Sequence, residues 1–116
     1  MIKATYEEYQ DTVTGLFFDL PVYSLEGYRT LDDFYYENRI EIYNIIFSAI
    51  EFGILSKVKQ VPCIILGENV MTITEDLYME KLDDCLRCYE CDEMYEQCAQ
   101  VVKLKQAYEN SRNFVS

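Results

Sequence analysis

Between Leu31 and Phe52 the chain carries a helical pattern that is apolar around most of its circumference. At roughly 3.6 residues per turn, Asp33, Glu37, Glu41, Asn44, Ser48 and Glu51 fall within about 80 degrees of one another. The rest of the surface carries Phe34, Tyr35, Tyr36, Ile40, Ile42, Tyr43, Ile45, Ile46, Phe47, Ala49 and Ile50. One neighbouring helix cannot cover so wide an apolar surface, so the segment has to sit centrally, packed on several sides. Thr30 and Asp33 have the spacing of an N-terminal cap, and Gly53 is the natural stop. Ile42, Ile45, Ile46, Ala49 and Ile50 are then the expected buried set.

The segments around this helix follow from local signals. Thr5 and Glu8 have capping-box spacing, and Tyr6, Tyr9, Val13, Leu16 and Phe17 recur at helical intervals, which predicts a first helix of roughly three turns. Asp19-Leu20-Pro21 ends it, because proline restrains the residue before it and cannot extend the ladder. Val22 to Arg29 reads as a connecting loop. Val61 to Leu66 and Val70 to Ile73 are short β-branched runs flanking the turn residues Gly67-Glu68-Asn69, which predicts a hairpin. Pro62 then belongs at the first residue of its strand or on a sheet edge. A further helix is expected from Thr72 or Thr74, with Glu75 and Asp76 in its first turn. Tyr78, Leu82, Cys85, Leu86 and Tyr89 share one face of it. From Cys91 the apolar stripe rotates to Cys91, Tyr95, Cys98 and Val102, which places a break or bend between Glu90 and Asp92. These elements predict an α+β fold, predominantly helical, with three to four helices and a small β-hairpin packed on the central helix. The expected organisation is a single acidic globular domain over residues 1–116, without internal repeats and with a frayed tail over 109–116.

Charge narrows the function classes. Twenty-one acidic side chains against 10 basic ones leave a net charge of -11, which repels nucleic acid and anionic membrane alike. Direct nucleic-acid binding is therefore not expected. No apolar run reaches the length of about 18 residues needed to cross a bilayer. Residues 1–5 lead into a charged segment without leader-like features, and five cysteines are an odd number, so the expected location is the reducing cytoplasm.

The chain has no histidine, which removes Ser-His and Cys-His nucleophile arrangements. Gly15, Gly27, Gly53 and Gly67 are isolated and form no phosphate-binding loop. Neither catalysis nor a cofactor is expected. Cys85, Cys88 and Cys91, followed by Cys98, are the one spacing with metal-binding character, since thiolates at two-residue intervals can ligate zinc or an iron-sulfur cluster. The helical context and the missing knuckle turn favour small buried hydrophobes instead, with a metal-thiolate or redox role as the alternatives.

The acidic side chains form tracks along helices. Asp76, Glu80, Asp83 and Glu90 lie within about 80 degrees on the third helix, and Asp33, Glu37 and Glu41 form the corresponding set on the central one. Helix rise over three or four residues separates such carboxylates by about 4.5 to 6 Å, comparable to phosphates along a nucleic-acid strand. Tyr35 and Tyr36 stand beside the central set, and tyrosine supplies contact area together with a hydrogen bond. An acidic helix can equally be no more than a solvated surface. Small size, strong acidity and abundant tyrosine together resemble the class of virus- or mobile-element-encoded inhibitors that occupy the nucleic-acid channel of a host defence or repair enzyme, anti-CRISPR proteins among them. That resemblance implies a stoichiometric inhibitor, a nucleic-acid mimic whose partner is a basic nucleic-acid-processing protein, acting as a monomer or homodimer. An oligomeric structural or assembly protein is the alternative.

Overall fold

The computed structural model describes residues 5–113, which form a four-stranded sheet and four α-helices. In chain order these are β1 (Thr5–Gln10), β2 (Phe17–Tyr23), α1 (Leu31–Glu37), α2 (Arg39–Leu55), β3 (Gln60–Leu66), β4 (Asn69–Thr74), a 3-10 turn over Glu75–Leu77, α3 (Tyr78–Cys91) and α4 (Tyr95–Asn113). The predominantly helical α+β class is as expected, and the predicted hairpin is β3–β4. The order strand, strand, helix, helix occurs twice, although the two sequences do not repeat. In the sheet, β1 pairs antiparallel with β2, β2 parallel with β3, and β3 antiparallel with β4.

The expected first helix is instead the β1–β2 hairpin. Its turn explains why. The Asp11 carboxylate accepts hydrogen bonds from the Thr14 N–H (2.8 Å) and the Thr14 hydroxyl (2.9 Å). Gly15 adopts φ +75, which favours glycine, and the Asp11 N–H closes the loop on the Leu16 carbonyl. Helical spacing of Tyr6, Tyr9, Val13 and Leu16 is overridden by this turn and by the strand preference of aromatic residues. Val22 and Tyr23, expected in a loop, complete β2. Pro21 lies within β2 opposite Tyr6, and Pro62 is the third residue of an interior strand beside a bulge that leaves Cys63 without a register partner. β2 and β3 pair only at Val22–Ile65 and Tyr23–Leu66. Prolines on both strands remove donors from the stretch before those pairs.

The long helix breaks once, at Asn38 (φ -109, ψ 17), whose side-chain amide donates to the Phe34 carbonyl at 2.9 Å and to the Tyr28 hydroxyl at 3.2 Å. This side chain competes for the backbone acceptor that helix continuation needs. Ile42, Ile46 and Ile50 are buried, whereas Ile45 and Ala49 are half-buried against the core. Gly53 does not stop α2, which runs on to Leu55. It is small because Tyr78 crosses it: an added Cβ would lie 2.5 Å from the Tyr78 Oη, whose hydroxyl donates to the Val58 carbonyl at 3.0 Å.

β4 extends to Thr74, so Glu75 and Asp76 occupy the 3-10 turn rather than the first turn of α3. The α3 face is as expected, with Tyr78, Leu82, Cys85 and Tyr89 buried. The break falls where anticipated, with Asp92 capping α3 and Glu93 at φ 57. The stripe beyond it differs: Val101, Leu104 and Tyr108 are buried, while Cys91, Tyr95 and Val102 face solvent. A left-handed residue at Glu93 re-aims α4, so helical phase does not carry across it. α4 continues through residues 109–113, expected to be frayed, and residues 114–116 of that tail lie outside those described. One core cluster joins both halves, from Tyr23 and Phe34 through Ile50 and Ile64 to Leu82 and Val101.

Candidate partner-binding surface

The break at Asn38 divides the acidic set expected along one helix. Asp33 and Glu37 are exposed on α1, where the Asp33 N–H caps onto the Thr30 hydroxyl oxygen at 3.1 Å. Glu41 sits on α2 and accepts the Tyr23 hydroxyl at 3.0 Å. Burial, and next this hydrogen bond, push the Tyr23 phenol up to about 12, so it remains a donor throughout the ordinary pH range. Tyr35 is half-buried, with its phenol pushed up by burial. Tyr36 is 70% exposed and stacks under the Arg39 guanidinium, 4.7 Å from the ring centre.

The second set is also divided. Asp76 belongs to the 3-10 turn and accepts the Thr74 hydroxyl. Glu80 and Glu90 are exposed on α3, without an ion pair among the described residues. Asp83 is matched by Lys105 of α4, and its neighbour Asp84 by Arg87 and, at 3.9 Å, Lys81. Asp92 receives Arg39 in a two-pronged contact, Nε to Oδ2 and Nη2 to Oδ1, each 3.2 Å. That hydrogen bonding raises the Arg39 guanidinium above its ordinary value. Asp83, Asp84 and the capping Asp92 are thus compensated by cations drawn from α2, α3 and α4, while Glu80 and Glu90 are not.

The β1–β2 hairpin holds acidic residues that the helical reading did not single out. Glu7 and Glu8 are exposed on β1, and Glu8 stands directly opposite the exposed Asp19 of β2. Like charges facing each other across a ladder destabilise it by a few tenths of a kcal/mol or more. None of Glu7, Glu8, Asp19, Asp32, Asp33 and Glu37 has an ion-pair partner among the described residues. The signal that could have found this surface is the Asp11-to-Gly15 turn between two aromatic runs, a hairpin signature.

Beside the hairpin, a cleft of about 390 Å³ opens between β2 and α2, where the β2–β3 ladder is missing. Tyr6, Phe18, Pro21, Ile45 and Phe52 supply its walls, Asp19 contributes a carboxylate, and the lining includes no basic residue. Phe18 and Phe52 meet edge to face at 5.5 Å. Apolar walls with one carboxylate suit the stem and head of a lysine or arginine.

The cysteines are all free thiols and do not converge. Cys85 is buried within the core, and Cys88 and Cys98 are half-buried, whereas Cys91 is exposed and does not act as a buried hydrophobe. Burial pushes the Cys63 and Cys85 thiols up to about 12, which keeps them protonated and unreactive. Among the described residues no three His, Cys, Asp or Glu side chains are grouped to hold a metal ion, and no helix is long and apolar enough to cross a membrane. Fold and surface thus define an acidic α+β protein with a mixed sheet. No protein family, curated protein or solved structure matches the chain.

Proposed function

We propose that the protein is a non-enzymatic binding module that presents acidic surface to the basic nucleic-acid groove of a partner enzyme and inhibits it stoichiometrically. The observation that carries this reading is the uncompensated charge of the first half: Glu7, Glu8, Asp19, Asp32, Asp33 and Glu37 stand in solvent without cationic partners among the described residues. Carboxylates without an ion-pair partner attract a basic groove without first giving up a bound cation. Exposed Tyr6 and Tyr36 are the aromatic anchors beside them. A nucleic-acid mimic of this kind works in the cytoplasm, where its five thiols stay reduced.

The test is affinity capture from a lysate of the natural host. A basic nucleic-acid enzyme should be retained, then released by duplex DNA and by raised salt. Changing Glu7, Glu8, Asp32, Asp33 and Glu37 to Gln or Asn should weaken retention by well over about tenfold. Retention of the same protein at undiminished strength by that variant overturns the reading.

A second reading, assembly with further copies, is favoured by one observation. Val13 (64% exposed), Phe17 (64%) and Leu55 (71%) present apolar surface at the hairpin turn, the start of β2 and the end of α2. A strict monomer at micromolar concentration in solution removes it.

A further inference from the structure

The sheet has two edges, β1 and β4, and they differ. β4 is mostly half-buried, whereas five of the six β1 residues are exposed and only Tyr9 is half-buried. The register between β1 and β2 runs without a shift from Thr5–Val22 to Gln10–Phe17, so no bulge twists this edge away. Besides β2, no described residue hydrogen-bonds to the β1 backbone. Alternate N–H and C=O groups of a regular six-residue strand therefore face outward, a template for another strand.

Charge decides which strand. In a second copy laid antiparallel and centred on this edge, Glu7 or Glu8 would meet Glu7 or Glu8 of the other chain. Like charges directly opposite oppose such pairing. A basic segment meets the reverse situation. Glu7 and Glu8 are adjacent and so project to opposite faces of the sheet. Glu8 is directly across from Asp19, and the two carboxylates share one face. A cation placed beside Glu8 in an added strand joins a row already holding two negative charges, and a second cation at the neighbouring position meets Glu7.

We propose that β1 is a docking edge for an extended segment of the partner carrying two consecutive Lys or Arg residues, which adds to the sheet as a fifth strand. This deepens the inhibitor reading and rests on its premise of a basic partner. Main-chain hydrogen bonds supply affinity, and the Glu7–Glu8 pair with Asp19 supplies selectivity.

The probe is the blocked hexapeptide Thr-Val-Lys-Arg-Val-Thr, with a fully backbone N-methylated form of equal charge as its control. Its binding to the whole chain is followed by NMR titration and amide exchange. Under saturating peptide, exchange of outward-facing amides between Thr5 and Gln10 should slow by about tenfold or more. N-methylation should weaken binding by about tenfold or more, as should the double variant Glu7→Lys/Glu8→Lys. The double variant Glu96→Lys/Glu109→Lys makes the same change in net charge at exposed positions of α4, outside the proposed surface, and should stay within about threefold of the parent. If the N-methylated peptide binds equally well, or both double variants weaken binding alike, net charge alone is at work; the docking edge is then overturned while the inhibitor reading stands. If neither peptide binds even at low salt, the docking edge is overturned, and the lysate capture alone decides the inhibitor reading.

Discussion

In the first ββαα half, β1 and the start of β2 stand at the sheet margin with most side chains in solvent; in the second, β3 is buried from Val61 to Leu66. The helix pairs diverge in the same sense. Acids on α1 form no ion pair among the described residues, whereas Asp83, Asp84 and Asp92 of the second half are met by Lys105, Arg87, Lys81 and Arg39. Arg39 itself comes from α2, so the first half gives up one of its few cations to the second. Residues 1–51 and 75–96 carry the same net charge of -7 by sequence, from 10 acids against 3 bases and 9 against 2. Equal charge in sequence is therefore unequally paired in space. Both halves build the core, and the first also offers the surface on which recognition is proposed.

The largest expected effect tests burial. Ile64→Ala on β3 should cost about 2–5 kcal/mol, because a fully buried side chain is deleted and its cavity relaxes only in part. Tyr6→Ala on β1, at a side chain 67% exposed, should stay within about 0.5 kcal/mol. Chemical denaturation of both variants decides it; comparable losses would erase the distinction between the hairpins.

Next comes the joint between the halves. Gly53→Ala places a methyl group into the Tyr78 ring and hydroxyl, and should cost about 1–3 kcal/mol through overpacking. A glycine acting only as a helix stop would predict a neutral or stabilising change, since alanine is the better helix former. A melting temperature equal to or above that of the parent would sink the close-packing account.

That glycine also illustrates what was legible in the sequence. Dense apolar periodicity fixed the inner faces of α2 and α3, because Ile42, Ile46, Ile50, Leu82 and Cys85 recur with no competing pattern. The first hairpin was hidden because Tyr6, Tyr9, Val13 and Leu16 satisfy a helical spacing, and the deciding feature was the turn chemistry of Asp11 and Gly15. Of the candidate surface, Asp33, Glu37 and Tyr36 lie exposed where the pattern placed them. The pairing of Asp83 with Lys105 and of Asp92 with Arg39 joins residues far apart in the chain, and no spacing rule reaches that distance. Gly53 has the look of a cap from its neighbours alone, since the residue that makes it small is Tyr78.

The anchoring of the exposed hairpin to the buried one is the third comparison to probe. Asp11 is 1% exposed and accepts from the Gln60 side chain at 2.8 Å as well as from Thr14, tying the β1–β2 turn to the start of β3. Burial pushes its carboxyl up, but the hydrogen bonds from Thr14, Gln60 and Val13 together outweigh this and hold it below the ordinary 3.8. A folded value below the unfolded one means that ionised Asp11 contributes stability above that ordinary value, lost as the pH falls through the folded one. Asp11→Asn should therefore cost about 1–3 kcal/mol at neutral pH, where one donor loses its acceptor. The gap between variant and parent should narrow below about pH 4. A gap independent of pH would show that the carboxylate's charge plays no part.

The smallest effects carry the charge comparison itself, and their signs matter more than their sizes. Lys105→Met removes the cation facing Asp83, in a pair whose side chains are 23% and 46% exposed, and should cost no more than about 1 kcal/mol. Glu8→Gln relieves the repulsion with Asp19 across β1–β2 and should raise stability by about a few tenths of a kcal/mol. Salt separates the two further. Between about 0.05 and 0.5 M, screening weakens attraction and repulsion alike, so the Lys105→Met loss and the Glu8→Gln gain should both shrink toward zero from opposite sides. Partner binding should respond in the reverse order of importance, weakened by Glu8→Gln and indifferent to Lys105→Met. If both substitutions destabilise the fold, Glu8 has a compensating partner after all, and the first half is not the uncompensated surface on which the proposed docking depends.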